Sequence, residues 1–221
     1  MSSIVVSGDT SGAITLQAPA VSGTNTLTLP ASTDTLVGKA TTDTLTNKTL
    51  TSPTITGAVI SAMASSILIS GTAVSSTSGT SIDFTSIPSW VKRITVMFNG
   101  VSTNGTSHTI VQLGISTGIE ATGYIANAGY ITTSSAGDLP FTTGFAVWGD
   151  TAAYTRGGML TISLLGSNIW VASGNFTGGA VNVVTSSGGQ KTLGGTLDRV
   201  RITTVNGTDT FDAGSINILY E

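Results

Sequence analysis

Charge is what this chain has least of: 9% of its 221 residues are Asp, Glu, Lys or Arg, against roughly 25% in an average soluble domain. Eight Lys and Arg scattered along the chain make no basic surface that could neutralise a row of phosphates, so nucleic acid is not an expected ligand. Cysteine is absent, which excludes a disulfide framework and thiolate metal sites. The single histidine, His108, has no second imidazole and no adjacent carboxylate pair, so neither a metal nor a cofactor is expected. The longest apolar stretch, Ala58 to Ile69, is interrupted by Ser61, Ser65 and Ser66 and falls short of the roughly 20 residues that cross a bilayer. The opening Met1-Ser-Ser-Ile-Val-Val-Ser-Gly-Asp9 has neither the basic start nor the apolar core of a secretory signal. A protein made in the cytoplasm and not inserted in a membrane is expected.

What the chain does have is 39% hydrophobic residues and 28 Gly at a net charge of −3. Disordered chains combine low hydrophobicity with high net charge, so this one should fold. Its solubility must come from hydroxyls and amides, which suits a protein whose surface is largely covered by partners.

Aromatic residues divide the chain, because none occurs before Phe84. We place the boundary near Thr77 to Thr80, with residues 1–79 and 80–221 as separate regions. The first is rich in Thr, Ser and Leu and alternates polar with apolar, as in Asn25-Thr-Leu-Thr-Leu-Pro30 and Asp43-Thr-Leu-Thr-Asn-Lys48. Such alternation reads as strand. A short repeat aligns Ser32–Lys39 with Thr41–Lys48. Single Leu, Ile and Val side chains without aromatics bury too little area to offset chain entropy of about 1–2 kcal/mol per residue. The region must therefore find its other walls elsewhere, and three intertwined copies would supply them; a homotrimer is expected.

Residues 80–221 read as a globular all-β domain. Strands are expected at 81–87, 91–98, 108–115, 141–148, 159–165, 169–175, 197–205 and 215–220, giving a sandwich of jelly-roll type with almost no helix. Asn99-Gly100, Asn104-Gly105 and Asn206-Gly207 fit positive-φ turns.

Catalytic patterns fare poorly. Gly114-Ile-Ser116-Thr-Gly118 matches the nucleophile-elbow spacing, but no helix follows, and His108 precedes the serine where the hydrolase order places it last. Gly188-Gly-Gln-Lys191 lacks the Gly immediately before Lys that a phosphate loop needs and reads as a turn. The carboxylates, Glu120, Asp138, Asp150, Asp198, Asp209 and Asp212, show no spacing that pairs two of them for glycoside hydrolysis. No enzymatic activity is expected. Adhesion would use exposed aromatics, which stack on sugar faces or bury at interfaces. Tyr124, Tyr130, Trp148 and Tyr154 fall in or beside Gly-rich connections and are the candidate glycan-binding or interface residues, whereas Trp90 and Trp170 are assigned to the core.

The stretch Asp43-Thr-Leu-Thr-Asn-Lys-Thr-Leu-Thr-Ser-Pro-Thr-Ile-Thr-Gly57 resembles a motif that recurs in tail-fibre and other virion structural proteins of tailed bacteriophages. Ser11 to Pro30 is similar to N-terminal modules of the same group, and Ile82 to Gly100 resembles the opening of a β domain that often follows. The resemblance implies a virion location after assembly in the host cytoplasm, a homotrimer, and docking on other virion proteins, either of the tail and baseplate or the major capsid protein. It implies a short tail fibre attaching to a host-surface glycan or, as the alternative, a head fibre or capsid decoration (cement) protein. It carries no catalytic residues.

Overall fold

A computed structural model of the chain describes residues 3–7, 12–17, 68–152, 154–178 and 183–221, together with positions 24, 49 and 51. Two compact units are present, Met1–Gly57 and Ala58–Glu221. The expected strands at 25–30 and 43–57, and the repeat at 32–48, lie outside the described residues.

In the first unit, β1 (Ser3–Ser7) and β2 (Ala13–Gln17) pair antiparallel, with Val5 opposite Thr15. Both of these side chains are exposed. A lone two-stranded hairpin is marginal in water, since one face finds nothing to bury against.

The second unit contains two antiparallel sheets and, among the described residues, no helix. The large sheet is built from β3 (Ile69–Ser70), β4 (Val74–Ser75), β6 (Arg93–Thr103), β9 (Tyr124–Ile131), β10 (Ala136–Phe141), β12 (Arg156–Gly166), β13 (Ile169–Gly178), β14 (Val184–Thr192) and β16 (Phe211–Tyr220). Its order is β10-β9-β14-β13-β12-β6-β16-β3, with β4 also on β16. The small sheet runs β11 (Phe145–Val147), β7 (Thr109–Ile115), β15 (Arg199–Thr204) and β5 (Ser81–Phe84), with β8 (Gly118–Ile119) on β7. One core serves both: Ile94, Val96, Leu160, Ile162 and Phe176 from the large sheet meet Val111, Leu113, Phe145, Val200 and Ile202 from the small one, all buried. Burying each such side chain contributes about 1.5–3 kcal/mol.

The pattern that sends these residues inward is legible in β6, where Ile94, Val96 and Phe98 are buried and alternate with Arg93, Thr95 and Met97 on the other face. All eight expected strands have counterparts. Four more strands lie between the expected ones: β8, β9, β10 and β14. The Gly188-Gly-Gln-Lys191 run is extended strand within β14 rather than a turn. Its glycines meet a spatial need, because a Cβ on Gly189 would lie 2.6 Å from Ala126 Cα in neighbouring β9.

Of the three Asn-Gly pairs, Asn206-Gly207 makes the expected turn between β15 and β16, with Gly207 at φ 69°. Asn99-Gly100 instead sits inside β6, where Gly100 at φ 62° accompanies register shifts against β12 and β16; this is a bulge. Gly105 has no positive φ, and its lack of a side chain makes room for the Asp209 carboxylate.

The globular unit also reaches further toward the N-terminus than the change in aromatic content. Ile69 and Ser70 pair with Tyr220 and Leu219, Val74 and Ser75 pair with Ile216 and Ser215, and the buried Ser76 donates its hydroxyl to Ala213 O at 2.7 Å. These edge strands cover a rim, which needs no aromatic side chain.

Candidate functional site

The first described strand of the globular unit, β3, lies at the end of β16 that holds Tyr220, since Ile69 pairs with that residue. Strand directions place the β6–β7, β9–β10, β11–β12 and β15–β16 connections at the opposite end. Three of the four expected binding aromatics lie there, and the fourth does not.

Tyr124 is that fourth residue, and it is a core side chain, 2% exposed at the start of β9. Its hydroxyl accepts a hydrogen bond from the Leu113 amide at 2.6 Å, and its ring packs edge-on to Phe145 at 5.1 Å. Burial pushes its phenol well above the usual range, with the Glu120 charge adding to the shift. It cannot meet a ligand.

Trp148 is also buried. Its ring lies 4.6 Å from His108 and 4.9 Å from Tyr130, and His108 continues the stack edge-on to Phe141 at 5.3 Å. This ladder closes the seam between the β9–β10 edge of the large sheet and the β7–β11 edge of the small one. The two corrections have different causes. Tyr124 opens β9, in a segment that reads as a loop, and strand alternation turns it inward; Trp148 follows β11, at the end of an expected strand, and packs into the ladder.

Half-buried Tyr130 and Tyr154 remain accessible. Tyr130 stands at the rim of a shallow cleft of about 460 Å³ that also contains Asp138, Asn175, Ser186, Ile131 and Val184. An aromatic edge beside a carboxylate, an amide and a hydroxyl can pack against an apolar ring face while exchanging hydrogen bonds with its substituents. Tyr154 lies beside Arg156, whose guanidinium carbon is 5.9 Å from the ring centroid. Arg156 is itself buried and fastens the 148–155 loop by donating to the Trp148, Tyr154 and Thr155 carbonyls. Desolvation lowers its pKa, partly offset by Asp150 and Tyr154.

His108 accepts the Gly149 amide proton on Nδ1 at 3.1 Å, so its neutral form carries hydrogen on Nε2. Burial lowers its pKa, with Asp150 opposing and Arg156 reinforcing the shift. Ser116 lies beyond the other end of β7, roughly 20 Å away at about 3.3 Å per residue, and its carbonyl accepts from Arg199 at 3.0 Å. The serine and histidine therefore cannot act together. The acids are engaged in structure: Glu120 with Lys191 at 2.7 Å, Asp83 with Arg201 at 2.7 Å, Asp198 with Arg199 at 2.8 Å. Asp209 accepts from the Ser107 amide at 2.9 Å, and Asp212 from the Ser102 hydroxyl. Among the described residues, no group of three His, Asp or Glu could hold a metal ion.

Sequence reasoning missed two features. Trp170 is buried as expected, but Trp90 is 47% exposed and leans on Tyr220 at 6.1 Å, at the end of the large sheet where β3 lies. The second feature is the solvent face of the large sheet, where Ile125, Ile131, Met159 and Val184 are all more than half exposed. Comparison with known protein families, curated proteins and solved structures gives no match.

Proposed function

We propose that the chain is a structural protein of a tailed-phage particle, a short tail fibre that attaches to the host surface as a homotrimer. In this reading the N-terminal region forms an intertwined β-rich stem, the globular unit is a jelly-roll-like head, and the partners are other virion proteins and a host-surface glycan. The motif Asp43–Gly57 is the sequence support. The observation that carries the reading is the polarity of the globular unit. The first described strand, β3, lies beside Tyr220 at one end, while half-exposed Tyr130 and Tyr154 and the loop fastened by Arg156 occupy the other. In this reading the end away from β3 is the one that meets the host.

The test is adsorption competition. Purified full-length protein should reduce adsorption of the phage that carries it, and Tyr154→Ala should weaken that competition at least tenfold while leaving the melting temperature nearly unchanged. Failure of the unaltered protein to compete or to bind cells removes the attachment reading. The alternative, a head fibre or capsid decoration protein, is supported by the same motif, Asp43–Gly57. It requires binding to assembled capsids and a rise in their heat resistance.

A further inference from the structure

The two sheets of the globular unit present very different faces to water. On the small sheet, Asp83, Arg199 and Arg201 point outward, and Arg201 grips Asp83 with two hydrogen bonds of 2.7 Å. None of the large side chains that are exposed lies on β5, β7, β11 or β15. On the large sheet, the four consecutive strands β9, β14, β13 and β12 contain two charged residues, Arg156 and Lys191, and both are buried. Their solvent face carries no charge. The register lines up Gly129, Ser186, Asn175, Met159, Met97 and Asn217 in one row across six strands, with Ser173 and Thr161 in the next. Ile125, Ile131, Met159 and Val184, at 68, 66, 54 and 55% exposure, interrupt the small polar side chains.

We infer that the solvent face of the large sheet is an interface between copies of this chain. The area suffices. Six strands about 4.8 Å apart and about 28 Å long present on the order of 800 Å², which is what each partner contributes to a standard stable interface. The chemistry selects the occupant. A partner of ordinary charge density would bring side chains that find no counter-charge and lose their water, which is costly. Over β9, β14, β13 and β12 the face of another copy is equally free of charge, with Asp138 of β10 and Arg93 of β6 at its margins, and Ser, Thr, Asn and Gly let two sheets approach closely while their hydroxyls and amides pair. The exposed Ile, Val and Met side chains contribute apolar burial that no element of the described globular unit gives them. The inference concerns the globular unit alone; it covers Ile131, Asn175, Val184 and Ser186 of the cleft beside Tyr130, which leaves the loop at Tyr154 as the part of that end open to a host ligand.

A benzophenone photocrosslinker placed at Ser173 of the full-length chain tests it, with the same group at Thr208 in the exposed β15–β16 turn as the control. Irradiation should yield covalent chain-to-chain products from position 173 at least tenfold above those from 208, joined to a peptide of the large sheet. Adding Met159→Lys should cut that yield at least fivefold without changing the circular dichroism spectrum. Recovery of only uncrosslinked chain overturns the inference. So does an intrachain product joining position 173 to residues 1–57, which would make the chain's own N-terminal region the cover.

Discussion

The two solvent faces of the globular unit come from one short chain, yet they are built by different rules. The small sheet solvates itself with ion pairs on its strands, as a surface left in water does. The large sheet places no charge over its four central strands and exposes Ile125, Ile131, Met159 and Val184 instead. A low average charge is therefore not spread evenly. It is withdrawn from the solvent face of β9, β14, β13 and β12, where the proposed interface lies.

The largest effect expected removes the comparison altogether. Phe145, fully buried on the small sheet and packed against Tyr124 of the large one, supports both faces from within. Phe145→Ala should cost about 3–5 kcal/mol in denaturant unfolding; a loss below 1 kcal/mol would mean that the sheets do not share a core. Tyr124→Phe is gentler. It removes the hydroxyl that accepts the Leu113 amide across the two sheets and leaves a buried donor unpaired, so about 1–3 kcal/mol should be lost.

A pair of variants sharpens the contrast directly. Asn175→Glu puts a charge on the large face, and Ser81→Glu puts one on the small face; both positions are exposed. In sedimentation equilibrium the first should weaken association between globular units at least tenfold, about 1.4 kcal/mol, and the second should leave it unchanged. Equal effects would erase the distinction between the faces.

The mildest expected change is a pH dependence at the seam between the sheets. Burial holds the folded pKa of His108 below the ordinary histidine value of about 6.5, so the unfolded chain binds a proton before the folded chain does. This contribution is complete above about pH 6.5 and is lost as pH falls through that value toward the lower folded pKa. Thermal melts should show the decline, and His108→Gln should flatten it, since no other histidine is present. A decline that survives the substitution would assign it to other groups.

Strands rich in β-branched and aromatic residues were legible in the sequence, as in Arg-Ile-Thr-Val-Met-Phe98, because alternation of large apolar side chains is the signal itself. The strands Tyr124–Ile131 and Val184–Thr192 were not. Their Ala, Gly and Ser residues have weak strand propensity and read as loop. They are small because neighbouring strands and the opposite face leave little room, as at Gly189 against Ala126. The misreading propagated to the candidate site: Tyr124 was placed on an exposed connection because its strand had not been seen. Trp90 failed the other way. Propensity favours an aromatic core residue, and only the fold reveals that the segment after Pro88 turns its indole outward.

On the proposed reading, both the N-terminal hairpin, with Val5 and Thr15 exposed, and the sheet face over β9, β14, β13 and β12 find their cover in copies of the same chain. Native mass spectrometry of the full-length protein at micromolar concentration tests that reading most directly. The account predicts an assembly of 22.2 kDa chains, a trimer or a multiple of it, with little free monomer. A stable, folded 22.2 kDa monomer would contradict it.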